Sequence, residues 1–256
     1  MTNFKDLHYQ EKPLLIGNVW DVISARQAEN AGFGALGTSS AAVAAQRGYP
    51  DGEAMPFAEV VRLVEQISRH CALPLTVDLE GGYSRVPRQI VDNIKQLVDR
   101  GAVGINLEDS VVAEDRQLLP ADLFAQTLLA IKNELAKRRI DVFLNVRTDT
   151  FLLNHSNALL ETQSRAQRYQ EAGADGLFVP GIKQESDIRS VVQSTLLPIN
   201  VMSVPGLPDF PTLKQLGVRR ISTGNLLFDC MHQHLARQFD LILNRRSFQP
   251  IFEYAY

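Results

Sequence analysis

Several things are scarce in this chain, and each absence narrows what it can be. There are two cysteines in 256 residues, Cys71 and Cys230, far apart and without metal-type spacing; a disulfide framework and a thiolate zinc cluster are excluded, and both read as reduced, packed thiols. Neither sign of charge dominates: the formal net charge is -3, which leaves no electrostatic footprint for nucleic acid or an anionic membrane surface. No apolar run is long enough to span a bilayer, and the opening Met-Thr-Asn-Phe-Lys-Asp lacks the apolar stretch of a signal peptide. Neither a Gly-x-Gly-x-x-Gly after a strand nor a Walker-type loop occurs, so nothing supports nucleotide binding. No Pro-, Gly- or Ser-rich linker divides the sequence. The expectation is a cytoplasmic protein forming one domain over residues 1–256.

What is present is a regular alternation. Apolar runs of strand length fall at 14–18, 35–38, 75–79, 103–108, 142–147, 176–179, 199–202 and 220–222. Segments of helical period lie between and after them, at 22–31, 57–69, 87–100, 120–138, 158–172, 184–195, 210–216 and 225–243. Most of the strands read as apolar on both faces, as covered parallel strands do. Gly32, Gly101, Gly173 and Gly217 each close a helix just before a strand, and Leu73-Pro74 and Leu197-Pro198 do the same with proline. Tight turns on that side and long loops on the other, at 39–53 and 109–119, define the two rims of a (β/α)8 TIM-type barrel. A helical extension at about 225–256 closes the chain.

Charge appears where such a barrel puts its chemistry. Leu-Thr-Val-Asp-Leu-Glu brings Asp78 and Glu80 to the end of the third strand, two residues apart and on one side of it. The fourth strand ends on Glu108 and the fifth on Arg147. Carboxyl ends of barrel strands converge on one mouth. Asp51, ending the loop after the second strand, could reach the same mouth, or serve only as the turn residue of Tyr-Pro-Asp-Gly. Like charges so placed repel one another unless a cation lies among them, and a hard divalent ion with oxygen ligands, Mg²⁺ or alternatively Mn²⁺, meets that need. The expected metal set is therefore Asp78, Glu80, Glu108 and Asp51. Arg147 suits a carboxylate or phosphonate through paired hydrogen bonds, the other reading being an ion pair with Asp149 or Glu108. Ser39, Ser40 and Ala41 could offer backbone N–H groups to an anion or start a packed helix. Trp20 reads as core or as a substrate wall, and Asn200 as a donor to substrate or a turn cap.

Seven stretches, in order along most of the chain, resemble the isocitrate lyase and phosphoenolpyruvate mutase superfamily. They are Asn18-Val-Trp-Asp21, Gly37-Thr-Ser-Ser40, Gly48-Tyr-Pro-Asp51-Gly, Val77-Asp-Leu-Glu-Gly-Gly-Tyr83, Gly104-Ile-Asn-Leu-Glu-Asp109, Asn145-Val-Arg-Thr-Asp149 and Asp175-Gly-Leu-Phe-Val-Pro180. The resemblance implies a Mg²⁺-dependent lyase for small 2-oxo or 2-hydroxy acids that works through an enolate. It implies Asp78 as the main metal ligand, with Asp51, Glu80 and Glu108 acting largely through water. Arg147 and the backbone near Ser39, Ser40 and Ala41 would hold the acid, Trp20 would line the pocket, and the catalytic candidates are Arg147 and Asp51. It implies a homo-oligomer, a dimer of dimers that exchanges its last helix. The sequence departs from the lyases at 110–119, which holds no Cys, Lys or His where they carry a catalytic cysteine, and at Gly181, where they place a glutamate. Decarboxylation of an oxaloacetate-like acid fits that reduced equipment. The alternatives are P–C chemistry on phosphonopyruvate, C–C cleavage of isocitrate or methylisocitrate helped by Glu114, Asp115 or Arg116, and a non-catalytic 2-oxo acid binding protein.

Overall fold

A computed structural model describes residues 3–112 and 115–252. Its centre is a closed barrel of eight parallel strands: β1 (Leu14–Val19), β2 (Ala35–Thr38), β3 (Leu75–Asp78), β4 (Ala102–Glu108), β7 (Phe143–Arg147), β8 (Gly176–Phe178), β9 (Ile199–Met202) and β10 (Arg220–Ser222). Helices alternate with them: α1 (Val22–Asn30), α3 (Phe57–His70), α4 (Pro87–Val98), α5 (Ala121–Lys137), α6 (Ala158–Glu171), α7 (Glu185–Gln193), α8 (Phe210–Gln215) and α9 (Leu226–Arg245). This is the expected (β/α)8 architecture, with all eight strands and eight helices where the periodicity places them. The four helix-closing glycines do take left-handed backbone, at φ of 85° to 103°.

Three short elements add to this frame, and only the first, as the packed-helix alternative at Ser39, Ser40 and Ala41, was anticipated. A short helix α2 (Ser40–Gln46) occupies the loop after β2, capped by the Ser39 hydroxyl, which accepts from Ala42 N–H. An antiparallel hairpin, β5 (Ser110–Val112) and β6 (Arg116–Leu118), fills the loop after β4. A 3₁₀ helix, Phe4–Tyr9, begins at an Asn3 cap and covers the lower end of the barrel. A further turn, α10 (Gln249–Phe252), follows α9.

The outward side chains of the strands are apolar. Val77, Ile105, Leu107, Leu144, Val146, Leu177 and Val201 join helix residues such as Val64, Ile94, Leu128, Ala166, Ile188 and Leu213 in one continuous core. Each large aliphatic there contributes about 1.5–3 kcal/mol by leaving water. The inner face differs from the expectation of strands apolar throughout. Asn145 Nδ2 donates across the barrel to Asn106 Oδ1 (2.9 Å) and Asn200 Oδ1 (3.0 Å), and Asn200 Nδ2 donates to Ser222 Oγ (3.1 Å). Arg220, only 1% exposed, adds a guanidinium to this layer, and its Nη2 donates to Asn106 Oδ1 at 3.3 Å. Burial lowers its pKa to about 9, against the pull of the Asp78 carboxylate. A buried polar layer of this kind holds its members in fixed positions because each depends on its neighbours for hydrogen bonds.

Below that layer, Phe4 and His8 of the 3₁₀ helix pack on Phe143, with the His8 ring stacked 4.1 Å from it and 6° from parallel. Burial, with the Arg220 charge, lowers the His8 pKa from 6.5 to about 3. The folded chain therefore binds fewer protons here than the unfolded chain between these values. The stabilising effect of neutral His8 is complete above pH 6.5 and is lost as the pH falls toward 3. His8→Phe should reduce the loss of stability between pH 7 and pH 4 by about 3 kcal/mol, taking 1.36 kcal/mol per pKa unit. Urea melts of both proteins at the two pH values test this; equal losses would show that His8 takes up its proton as readily in the folded chain as in the unfolded one.

Candidate active site

β3 ends on Asp78, whose side chain enters a cavity of about 200 Å³ at the carboxyl end of the barrel. Ser40 Oγ donates to Asp78 Oδ2 at 2.9 Å, and the Ser40 backbone N–H adds a further contact. Asp78 Oδ1 is out of reach of solvent and has no hydrogen-bond partner among the described residues. Burial raises the Asp78 pKa, with Arg147 and Ser40 working the other way. An acceptor left buried and unpartnered beside a cavity is costly unless something positive binds it there.

Glu80 does not continue the alternation of β3. The strand stops at Asp78, and Glu80 takes left-handed backbone at φ 53°, an uncommon conformation for a residue with a side chain. Its buried carboxylate accepts from Glu53 N–H at 2.7 Å, and Glu53 in turn accepts from Tyr83 N–H at 2.6 Å. The loops after β2 and β3 are thereby clasped together. Burial first, then the charges of Asp78, Asp51 and Glu108, push Glu80 up to about 8. Glu108 is also buried and pushed up to about 7, chiefly by burial; Arg147 and Arg116 oppose the shift and Asp149 adds to it. Glu108 Oε2 makes no well-aligned hydrogen bond among the described residues but is ion-paired with Arg147 Nη1 at 3.2 Å.

Arg147, ending β7, is fixed on three sides. Its Nε and Nη2 bond to the two oxygens of Asp149 at 2.6 and 3.2 Å, Nη1 lies 3.2 Å from Glu108, and Phe178 sits 5.9 Å below the guanidinium. Burial opposes ionisation of Asp149, but the charge and hydrogen bonds of Arg147 outweigh it and hold that carboxyl below its usual range. A second guanidinium, Arg116 from β6, bonds to Glu108, to Ser110 Oγ (3.0 Å), to Asp149 (3.1 Å) and to Asp51 (3.2 Å). Behind them Asp109 is fully buried and accepts from Arg165 Nη1 (2.9 Å) and Tyr169 Oη (2.7 Å).

The expected residues separate into two groups. Asp78, Asp51, Arg147, Ser39, Ser40 and Ala41 all line the cavity. Ser39 N–H is already donated to Val19 O, so it is not available to a ligand. Glu80 and Glu108 do not line the cavity but stand behind it. Asn200 lies lower, in the buried polar layer, with both ends of its amide engaged; it neither caps a turn nor reaches the cavity. Trp20 is buried edge-to-face against Phe228 of α9, 5.2 Å between ring centres, and Asn18 lines the cavity instead. Asn18 Oδ1 accepts from Thr223 and Gly224 N–H, closing the seam between β1 and the loop after β10. Cys71 is buried as expected, whereas Cys230 is exposed on α9 and not packed. Asp115 and Arg116 are described; Glu114 and residues 253–256 of the expected C-terminal extension lie outside the described residues. Glu53 and Asp149 were missed as site elements, although Asp149 was visible in the sequence as a partner for Arg147, and Arg116 was read only as a possible helper in carbon–carbon cleavage.

Among the described residues, no three acids, histidines or cysteines converge closely enough to bind an ion directly. A shared four-carboxylate cage is therefore not the geometry. The donor set does fit a hydrated hard cation: one inward carboxylate with an unpartnered oxygen, Asp51 on the same wall, and two acids behind. Mg²⁺ commonly keeps several waters and takes only one or two carboxylates.

An eight-stranded barrel with acids and guanidiniums at the carboxyl ends of its strands is the framework of an enzyme. Residues 4–243 match the family described as phosphoenolpyruvate phosphomutase. An uncharacterised protein of Mycobacterium tuberculosis is 37% identical over 225 residues, covering 88% of this chain and 82% of that one. The oxaloacetate decarboxylase of Bradyrhizobium diazoefficiens is 32% identical over 206 residues, 76% of this chain and 68% of that one. The crystal structure of a Burkholderia cenocepacia protein, provisionally described as a phosphonomutase, superposes with a TM-score of 0.86 at 39% identity, covering 93% of this chain and 97% of that one. The chain belongs to the phosphoenolpyruvate phosphomutase family.

Proposed function

We propose that the chain is a Mg²⁺-dependent carbon–carbon lyase for a small 2-oxo or 2-hydroxy dicarboxylic acid, with decarboxylation of an oxaloacetate-like acid as its reaction. The observation that carries this reading is the unpartnered, buried Oδ1 of Asp78 beside Arg147 in a cavity sized for an acid of a few carbons. Among the described residues no Cys, His or Lys lines that cavity, so a cleavage that depends on such a proton donor lacks its equipment there. Decarboxylation next to a 2-oxo group needs chiefly a sink for electrons, and the 32% identical relative is an oxaloacetate decarboxylase.

Asp78 would hold the ion through Oδ1, and Asp51, Glu80 and Glu108 would hold its waters. When bound, a divalent cation supplies the sink for negative charge developing on the 2-oxo group. Arg147 fixes a carboxylate of the acid, and its own bonds to Asp149 keep the guanidinium from turning away. With the acid so held by the carboxylate next to its 2-oxo group, the bond from the adjacent carbon to the far carboxyl group breaks, its electron pair moves through the new carbon–carbon double bond toward the 2-oxo oxygen, carbon dioxide leaves, and water returns a proton to that adjacent carbon.

Incubation with oxaloacetate, isocitrate, 2-methylisocitrate and phosphonopyruvate, with Mg²⁺ or with EDTA, tests the reading. Pyruvate formed from oxaloacetate above the spontaneous rate, and only with Mg²⁺, is the expected result. Pyruvate with phosphate from phosphonopyruvate would favour P–C chemistry, the reading that the Burkholderia likeness supports. Thermal stabilisation by these acids without any product would make the chain a binding protein.

The proposal includes assembly with further copies. Leu227, Met231, Leu235, Phe239 and Leu243 form an exposed apolar stripe along α9, each 44–74% accessible. Sedimentation equilibrium should give a multiple of 28.5 kDa; a monomer would remove this part.

A further inference from the structure

Arg116 has no role in the mechanism described above, yet it lines the same cavity as Asp78 and Arg147. We infer that Arg116 determines specificity by receiving the far carboxylate of a dicarboxylic substrate. This rests on the proposed lyase reading and adds to it the residue that would select four-carbon diacids over shorter acids.

The two guanidiniums at the cavity are committed differently. Arg147 bonds to Asp149 through Nε and Nη2 and faces Glu108 through Nη1, all with buried partners. Arg116 directs Nη1 inward to Glu108, Ser110 and Asp149, whereas Nη2 meets only Asp51 among the described residues, at 3.2 Å. The Asp51 side chain is 39% exposed. An ion pair on the solvent side contributes little, so a ligand carboxylate can replace Asp51 on Nη2 at small cost. The inner contacts meanwhile hold the guanidinium plane in place. Asp51, once released, is free to turn toward the waters around Asp78, which makes binding of the diacid and of the ion mutually supportive.

The hairpin that carries Arg116 is anchored rather than loose. Leu119 N–H donates to Asp109 O at 2.8 Å, and Arg165 Nη2 donates to Leu119 O at 2.9 Å. The buried Asp109–Arg165 pair thus staples the base of the hairpin to the barrel. Val112 sits directly on Gly52, where an added Cβ would lie 2.7 Å from the Val112 Cβ. The hairpin therefore rests on the Asp51 loop and closes that side of the mouth. A guanidinium delivered on a fixed strand pays less ordering entropy on binding than one on a mobile loop. Its flat, forked donor set also matches a carboxylate better than an ammonium does.

Calorimetric titration in Mg²⁺ of the intact protein with oxalate and with D- and L-malate tests the assignment. Oxalate matches the planar 2-oxo acid head alone; malate adds the far carboxylate and has no 2-oxo group to drive cleavage. Arg116→Gln should weaken the tighter-binding malate by at least about tenfold while oxalate changes by less than about twofold. Arg116→Lys keeps a charge among Glu108 and Asp149, guarding the fold, and should still weaken malate several-fold. Equal losses for oxalate and malate would reduce Arg116 to a brace for the acids and overturn the inference, as would malate binding indifferent to both substitutions. A wild-type protein that binds neither acid overturns the lyase reading along with it, whereas oxalate binding with malate unaffected by Arg116 overturns this inference alone.

Discussion

Asp78→Asn is expected to lower Mg²⁺-dependent turnover by about 10³-fold or more, roughly 4 kcal/mol of barrier, while leaving the fold intact. Among the described residues, Asp78 is the one acid that reaches the cavity with a buried oxygen free of hydrogen bonds. On the proposed reading that oxygen supplies the direct bond to the ion, a role the neutral amide oxygen fills poorly because it lacks the charge. The fold has little to lose. The substitution is nearly isosteric, and the amide oxygen can still accept from the Ser40 hydroxyl that now bonds to Oδ2. Burial already disfavours the charge on Asp78, so removing it should leave the thermal midpoint unchanged or higher. Turnover at saturating Mg²⁺, measured with the far-UV spectrum and melting curve of the same sample, separates these outcomes. Full activity in the variant would remove the metal-site proposal.

Arg147→Lys is expected to lower kcat/KM by about 10²-fold, with much of the loss in KM. A lysine preserves the charge but not the geometry. It cannot bond to both oxygens of Asp149 while facing Glu108, so the ammonium would sit in several positions rather than one. The substrate would then be held by a mobile point charge. Because Arg116 also bonds to Asp149 and Glu108, those acids keep one cation and the site should stay assembled. Steady-state kinetics with oxaloacetate, alongside the Kd for oxalate, are the measurements. Unchanged affinity for both would mean that Arg147 only braces the rim.

The barrel was legible because its signals are local and repeated: apolar strand runs, helical period, and a left-handed glycine stop. Elements without an apolar period were not legible. The 3₁₀ helix at Phe4–Tyr9 announces itself only through the packing of Phe4 and His8 on Phe143, a residue far along the chain. The hairpin at Ser110–Leu118 has strands of three residues each, too short for alternation to register.

Within the site, residues at strand ends were found because the fold itself places them, as with Asp78 and Arg147. Glu80 does not share the side of Asp78 as strand alternation implied, because left-handed backbone past the end of β3 redirects its side chain. Asn200 misled in another way: it lies within β9 and not at its end, so it faces the polar interior. Trp20 was one position of several near the mouth, and the packing of α9 decided which way it faced. Arg116 could not be ranked from sequence, since its partners Asp51 and Asp149 are 65 and 33 residues away.

On the proposed reading a hard cation binds at Asp78 Oδ1 with the other acids one water away. Crystals soaked in Mn²⁺ and measured at its anomalous edge test that most directly. The proposed site predicts one strong peak about 2.1 Å from Asp78 Oδ1, with Asp51, Glu80 and Glu108 reached through ordered water. A map with no peak in the barrel mouth, or with Mn²⁺ bound by other residues and Asp78 left unliganded, would contradict it.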